Sequence, residues 1–357
     1  MKGMELCERF FFEVAQPVLK AHFPTLSYTA GLIGYGSDVL GYDDEVSTDH
    51  MWGPRFYLFL KQEDLPKQDE ILRVFSHTFP YEFCGYSVHF TEPDPNDNGV
   101  RHPKHITSGP VSPLIFVHSI EEYLENYLGT SDFEHLSETD WLSFSEHKLL
   151  SLTCGKLFED GLGIGALLEP LRFYPDTVQR YLIASNWSLI AEEQAFMRRC
   201  SDVGDEMGSI LVCGRIAERL MRLCFLYCRQ YAPYSKWFGT GFSHLPVEKP
   251  IKHAIHQALT AADSTARENA LVLAQHLVAE LHNSLGITAP VSTEITDYYG
   301  REIKVIFCDQ IAEAVQETLR GTVLAHIPLI GSMSEIANFS VLSDDPTHRE
   351  RIKQLYQ

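Results

Sequence analysis

The chain lacks the features that would assign it to several large classes. It has no run of eighteen or more apolar residues, and Met1 to Phe12 mixes Lys2, Glu5, Glu8 and Arg9 into its apolar positions, so neither a membrane span nor a signal peptide is expected. Basic residues are scarce: 29 Lys and Arg against 48 Asp and Glu give a net charge of −19. That balance disfavours extended nucleic-acid binding, which draws its affinity from Lys and Arg displacing counterions, and it disfavours anionic membranes. The eight cysteines are scattered, with no Cys-x-x-Cys and no Cys/His spacing suited to zinc, which points to a reducing, cytoplasmic setting. The glycine-rich break Asp160-Gly161-Leu162-Gly163-Ile164-Gly165 lacks the spacing of a dinucleotide loop and reads as a turn.

What is present is an ordinary globular composition, 45% hydrophobic and 22% charged, in 357 residues, a length that suggests two domains. Glu5 to His22 is apolar at Leu6, Phe10, Val14, Val18 and Leu19, a helical repeat stopped by Pro24. Strands are expected over 26–33, 55–60, 86–90 and 113–118, with a helix over 66–78 and a surface loop over 93–113. From Ser119 onward the pattern is helical almost to the end, including 145–158, 176–200, 206–231, a pair within 251–283, and 309–320. The expectation is an α+β protein: a small mixed sheet with flanking helices over 1–125, then a mostly α-helical domain over 126–357.

The stretch Gly34 to Arg55 sits between two of these strands, where a scaffold places binding and catalytic groups. Gly36-Ser37 can form a tight turn whose N–H groups approach phosphate oxygens, and Asp49, after eleven intervening residues, can supply a carboxylate to a divalent metal. This spacing resembles the signature of the nucleotidyltransferases of the DNA polymerase beta superfamily. The stretch also resembles an uncharacterised bacterial family of unknown function assigned to that fold. The likeness continues through Trp141-Leu142, Gly155 to Asp160, Tyr231 to Trp237, His282 to Thr288 and Ile330-Gly331-Ser332. It implies transfer of a nucleoside monophosphate from an NTP to an acceptor hydroxyl, with Gly36 and Ser37 on the triphosphate and Asp49 as the catalytic carboxylate and ligand of Mg²⁺.

The pattern breaks at its second acid, where Met51 offers a thioether that Mg²⁺ binds poorly. Either half of a two-carboxylate site is lost, or the chemistry runs on one carboxylate with help from another strand. A weak Mg²⁺ site follows in both cases, and a non-catalytic nucleotide- or metabolite-binding module is the alternative. Candidates for a third metal-side group are Glu92, His118, Glu121 and Glu122, none at a telling spacing.

In the helical half, Arg215, Glu218, Arg219 and Arg222 share one face of an otherwise apolar helix. Buried charge needs partners, so Arg215, Arg219 and Arg222 either join protein carboxylates or hold ligand phosphates. Lys236, beside Tyr234 and Trp237, is placed to reach a phosphate next to a stacked base, with aromatic packing between helices as the ordinary alternative.

Overall fold

The computed structural model describes residues 1–47, 51–337 and 339–357. It is α+β and divides into two compact units, Met1–His135 with Lys148–Arg172, and Leu136–His147 with Phe173–Gln357. The chain therefore crosses between the units three times, where the sequence suggested a single boundary between 125 and 126.

In the first unit, β1 (Tyr28–Leu32), β2 (Arg55–Leu60), β3 (Leu114–His118) and β4 (Lys156–Asp160) form one mixed sheet in the order β3-β2-β1-β4. β1 is antiparallel to β2 and to β4, and β2 is parallel to β3, with Arg55 opposite Leu114 and Phe59 opposite His118. β4 explains the interleaving: it follows a stretch of helical segments and returns to cover the free edge of β1. Lys156 to Phe158 had read as the end of a helix over 145–158. The helix stops at Thr153, and the strand shows a single buried position, Phe158, too little alternation to announce itself. The expected strand over 86–90 is also cut down, to a two-residue pairing of Glu82–Phe83 with Tyr86–Ser87 and an isolated bridge from Phe90 to Pro103.

The first helix, α1, runs Gly3–Phe10, widens into a π-turn at Phe11–Ala15 and resumes at Gln16–His22. Pro17 accounts for the widening, since it has no N–H to donate and its ring crowds the preceding turn. Leu6, Cys7, Phe10, Phe11, Ala15 and Leu19 are buried along α1. With Phe75 and Phe79 from α2 (Gln68–Thr78) and its C-terminal boundary, they cover one face of the sheet around Phe56. On the other face Tyr57 and Phe59 meet Tyr123 of α3 (Ile120–Leu128) edge-on at 5.1 and 5.4 Å. The glycine-rich break after β4 is a turn into the short helix Ile164–Leu168, as expected. The Asp160 carboxylate accepts the N–H groups of Ile164 and Gly165 at 2.8 and 2.9 Å.

The second unit is helical. α4 (Glu138–Ser143) opens it, and α5 (Asp176–Glu193), α6 (Glu206–Tyr227), α7 (Lys249–Thr260), α8 (Ser264–Leu285) and α9 (Cys308–Glu317) follow. α6 packs against α5, α7 and α8, and α5 against α9. Buried between α5, α6 and α8, Trp187 Nε1 donates to the Tyr227 hydroxyl at 2.7 Å; that oxygen lies 3.1 Å from His282 Nδ1. The last helical turns are tied back to α4 through Asp140, which pairs with Arg349 and with Lys353 at 2.8 Å. Against the upward pull of burial, the bonds from Lys353 and Ser137 hold the Asp140 carboxyl down at about 2. No helix among the described residues is long and apolar enough to cross a membrane.

Burial pushes the His282 imidazole down to about 4. Its neutral form belongs to the folded state, so it contributes stability that is present above pH 6.5 and lost as pH falls toward 4. His282→Asn is expected to flatten the stability profile in that window, measured by urea unfolding from pH 4 to 7. An unchanged slope would mean that His282 titrates alike in both states.

Candidate functional site

Gly36 and Ser37 form a turn directly after β1. Tyr42 N–H closes it on the Ser37 carbonyl at 2.8 Å, and Gly41 N–H on the Asp38 carbonyl at 3.2 Å. Among the described residues, the N–H groups of Gly36, Ser37 and Asp38 and the Ser37 hydroxyl have no hydrogen-bond partner. Three successive free N–H donors in a tight turn are suited to receiving an anion.

Two glycines make the turn feasible. Gly34 has φ +94°, its N–H goes to the Ser151 carbonyl at 3.0 Å, and a Cβ there would overlap the Tyr123 hydroxyl. Gly36 has φ +119°, and a Cβ would overlap the Asp38 carboxylate and stand 2.5 Å from Arg55 Nη2. Both positions therefore exclude a side chain on backbone and on steric grounds.

Beneath the turn lies a buried ion pair. Arg55, the first residue of β2, is 1% exposed and Asp38 2%. Arg55 Nη2 donates to both Asp38 oxygens, at 2.7 and 2.9 Å, and to the Tyr35 carbonyl at 3.3 Å, while its guanidinium carbon lies 4.8 Å from the Tyr35 ring centre. Burial alone would lower the Arg55 pKa; the Asp38 charge overrides it and drives the pKa up, so the side chain stays a cation. Asp38 Oδ1 also accepts the Val39 N–H at 3.0 Å. Neither residue was singled out from the sequence. The available signal was Arg55 itself, the one charge in a strand whose six positions are all buried.

Asp49 lies outside the described residues. Met51 has φ +47°, and its sulfur is 3.9 Å from the Tyr35 hydroxyl. Among the described residues no group of three His, Cys, Asp or Glu side chains stands close enough to hold a metal. The donors described around the turn thus do not by themselves make a Mg²⁺ site.

Of the candidates for a third metal-side group, His118 pairs with Phe59 at the end of the sheet remote from Arg55. Glu121 lines a cavity of about 380 Å³ at that same end, with Leu60, Lys61 and Ile164. Neither can share a site with the turn. Glu92 follows Phe90, whose N–H bonds the Ser112 carbonyl just before β3, so it belongs to the Arg55 end.

The arginines of α6 have protein partners. Arg215 is paired with Glu193, with Nε 2.8 Å from Oε1, and Arg219 Nη2 donates to the Glu335 carbonyl at 3.1 Å. Arg222 is buried, donates to Glu218 at 3.1 Å and to Glu146 at 3.4 Å, and lies 5.2 Å from the Phe238 ring centre. Of the two roles open to this stripe, the internal network describes the contacts seen. Lys236 is exposed and lies 5.1 Å from the centre of the neighbouring Trp237 ring.

Glu146 is the network's titratable member. Burial pushes its carboxyl up to about 7, although Arg222 pulls the other way. A carboxyl that keeps its proton in the fold favours folding most below its ordinary value of 4.5, and that contribution is lost as pH rises through 7. Glu146→Gln is expected to abolish this loss between pH 4.5 and 7 in chemical denaturation. A variant that retains the wild-type slope would refute the assignment.

The chain is an α+β protein whose mixed-sheet unit carries the Gly36-Ser37 turn. A family model described as "Domain of unknown function (DUF4037)" matches residues 141–238. No curated protein matches. The chain is similar to a nucleotidyltransferase-like protein from Exiguobacterium sibiricum 255-15, at 12% identity over 78% of this chain and 77% of that one, with a TM-score of 0.32. A likeness that remote fixes neither reaction nor site.

Proposed function

We propose that the first unit binds a nucleoside triphosphate through the Gly36-Ser37 turn and belongs, by chemistry, with the nucleotidyltransferases. The observation that carries this reading is the turn itself: a serine and three free N–H donors, fixed by two glycines that exclude side chains. Fixed N–H dipoles suit phosphate oxygens because they need no reorganisation when the charge arrives.

In the transfer reaction an acceptor oxygen would bond to the α-phosphorus as the bond to the bridging oxygen of the β-phosphate breaks. Pyrophosphate would leave, and the acceptor proton would pass to a base. Asp49 is the proposed carboxylate of this step. Met51 weakens it because that position offers a thioether where the signature has an acid. That same residue favours a second reading, a nucleotide-binding module without turnover.

Pyrophosphate release separates the two readings. Slow release by the wild type, lost in Asp49→Ala and raised in Met51→Asp, is the outcome expected of a weakened transferase. Saturable NTP binding without release, in both wild type and Met51→Asp, would leave the binding module. An absence of NTP binding would remove both.

A further inference from the structure

We propose that Arg55 is the positioning residue of the phosphate turn: through one nitrogen it holds both flanks of Gly36-Ser37 and so presets the turn's free N–H groups for an anion. The inference rests on the nucleotide reading above and adds the device that shapes the site. Arg55 Nη2 reaches the Tyr35 carbonyl on one side of Gly36-Ser37 and both Asp38 oxygens on the other. Gly36 sits between these anchors so tightly that nothing larger fits.

The same contacts assign the carbonyl and carboxylate acceptors on either side of the turn to Arg55. The turn's own donors remain uncommitted among the described residues. Asp38 neutralises the guanidinium locally, so the incoming phosphate is met by oriented dipoles, with the cation acting through the backbone.

Among the described residues, Arg55 Nε and Nη1 have no hydrogen-bond partner, although they are buried. Holding the turn accounts for Nη2 and the stacked Tyr35 ring, and a fold-stabilising role would be expected to use more of the fork. An ammonium in place of the guanidinium keeps the charge but cannot stack on Tyr35 while reaching both flanks.

Arg55→Lys tests this in two arms, with Phe75→Leu, in the core of the same unit and away from the turn, as a control for lost stability. In hydrogen exchange, Arg55→Lys is expected to speed exchange of the hydrogen-bonded Val39 to Tyr42 amides by about tenfold or more while β1 and β2 stay protected, and Phe75→Leu to leave this segment unchanged. In titrations with ATP and Mg²⁺, Arg55→Lys should weaken binding by about tenfold, with Phe75→Leu within about twofold of wild type.

Equal exchange in Arg55→Lys and wild type would overturn the proposal whether or not nucleotide binds. Selective loosening of the turn with undiminished ATP affinity would overturn its link to the ligand. A wild type that binds no nucleotide refutes the functional reading and the phosphate half of this one, while the exchange arm still decides whether Arg55 holds the turn.

Discussion

Asp38→Ala is expected to destabilise the first unit by about 3 to 5 kcal/mol, because it leaves the Arg55 guanidinium charged and buried without its counter-ion. Arg55 is 1% exposed and, among the described residues, Nη2 would retain only the Tyr35 carbonyl, so water cannot replace the lost carboxylate without opening the strand. The loss should fall on Gly34 to Tyr42 first, since Asp38 Oδ1 also receives the Val39 N–H. Urea unfolding gives the size of the effect. A change under about 1 kcal/mol would mean that the pair behaves as an exposed one.

Arg222→Ala should cost the second unit a similar amount, about 3 kcal/mol or more, by removing a buried cation shared by Glu146 and Glu218. Its effect should depend on pH in a particular sense. Without Arg222 the positive charge that pulls Glu146 down is gone, so the carboxyl should hold its proton to still higher pH than about 7. The variant should therefore recover part of its lost stability as pH falls from 7 toward 5, where Glu146 is neutral in both proteins. A deficit that stays constant from pH 5 to 8 would place the cost in lost packing against Phe238 instead.

Much of this fold was legible from apolar spacing. Leu6, Phe10 and Leu19 announced α1, and the solid run after Arg55 announced a buried strand. Long amphipathic or apolar segments carry their own periodicity, so the large helices of the second unit were also readable. β4 was not, because an edge strand that buries only Phe158 has almost no pattern of its own, and its partner lies more than a hundred residues away. The domain division was hidden for the same reason: it follows from that non-local pairing.

The candidate site was legible in part. Glycine spacing located the turn at Gly36-Ser37, since a tight turn needs residues without Cβ. The Asp38–Arg55 pair was hidden because a charge at the head of an apolar run looks like a strand boundary until its burial is known. The stripe of Arg215, Arg219 and Arg222 was correctly placed on one helix, but spacing along a helix cannot say what the opposite surface offers. Glu193 and Glu146 come from other segments, and only the tertiary structure brings them to those guanidinium groups.

The central claim is that the Gly36-Ser37 turn receives the phosphates of a nucleotide, and calorimetric titration of wild type and Gly36→Ala with Mg²⁺ and each of the four NTPs tests it most directly. The account predicts saturable binding of at least one NTP, weakened about tenfold or more when a methyl group displaces Asp38 and Arg55, with helical content unchanged by circular dichroism. Binding of equal strength in a folded Gly36→Ala protein, or no heat from any of the four nucleotides with the wild type, would contradict it.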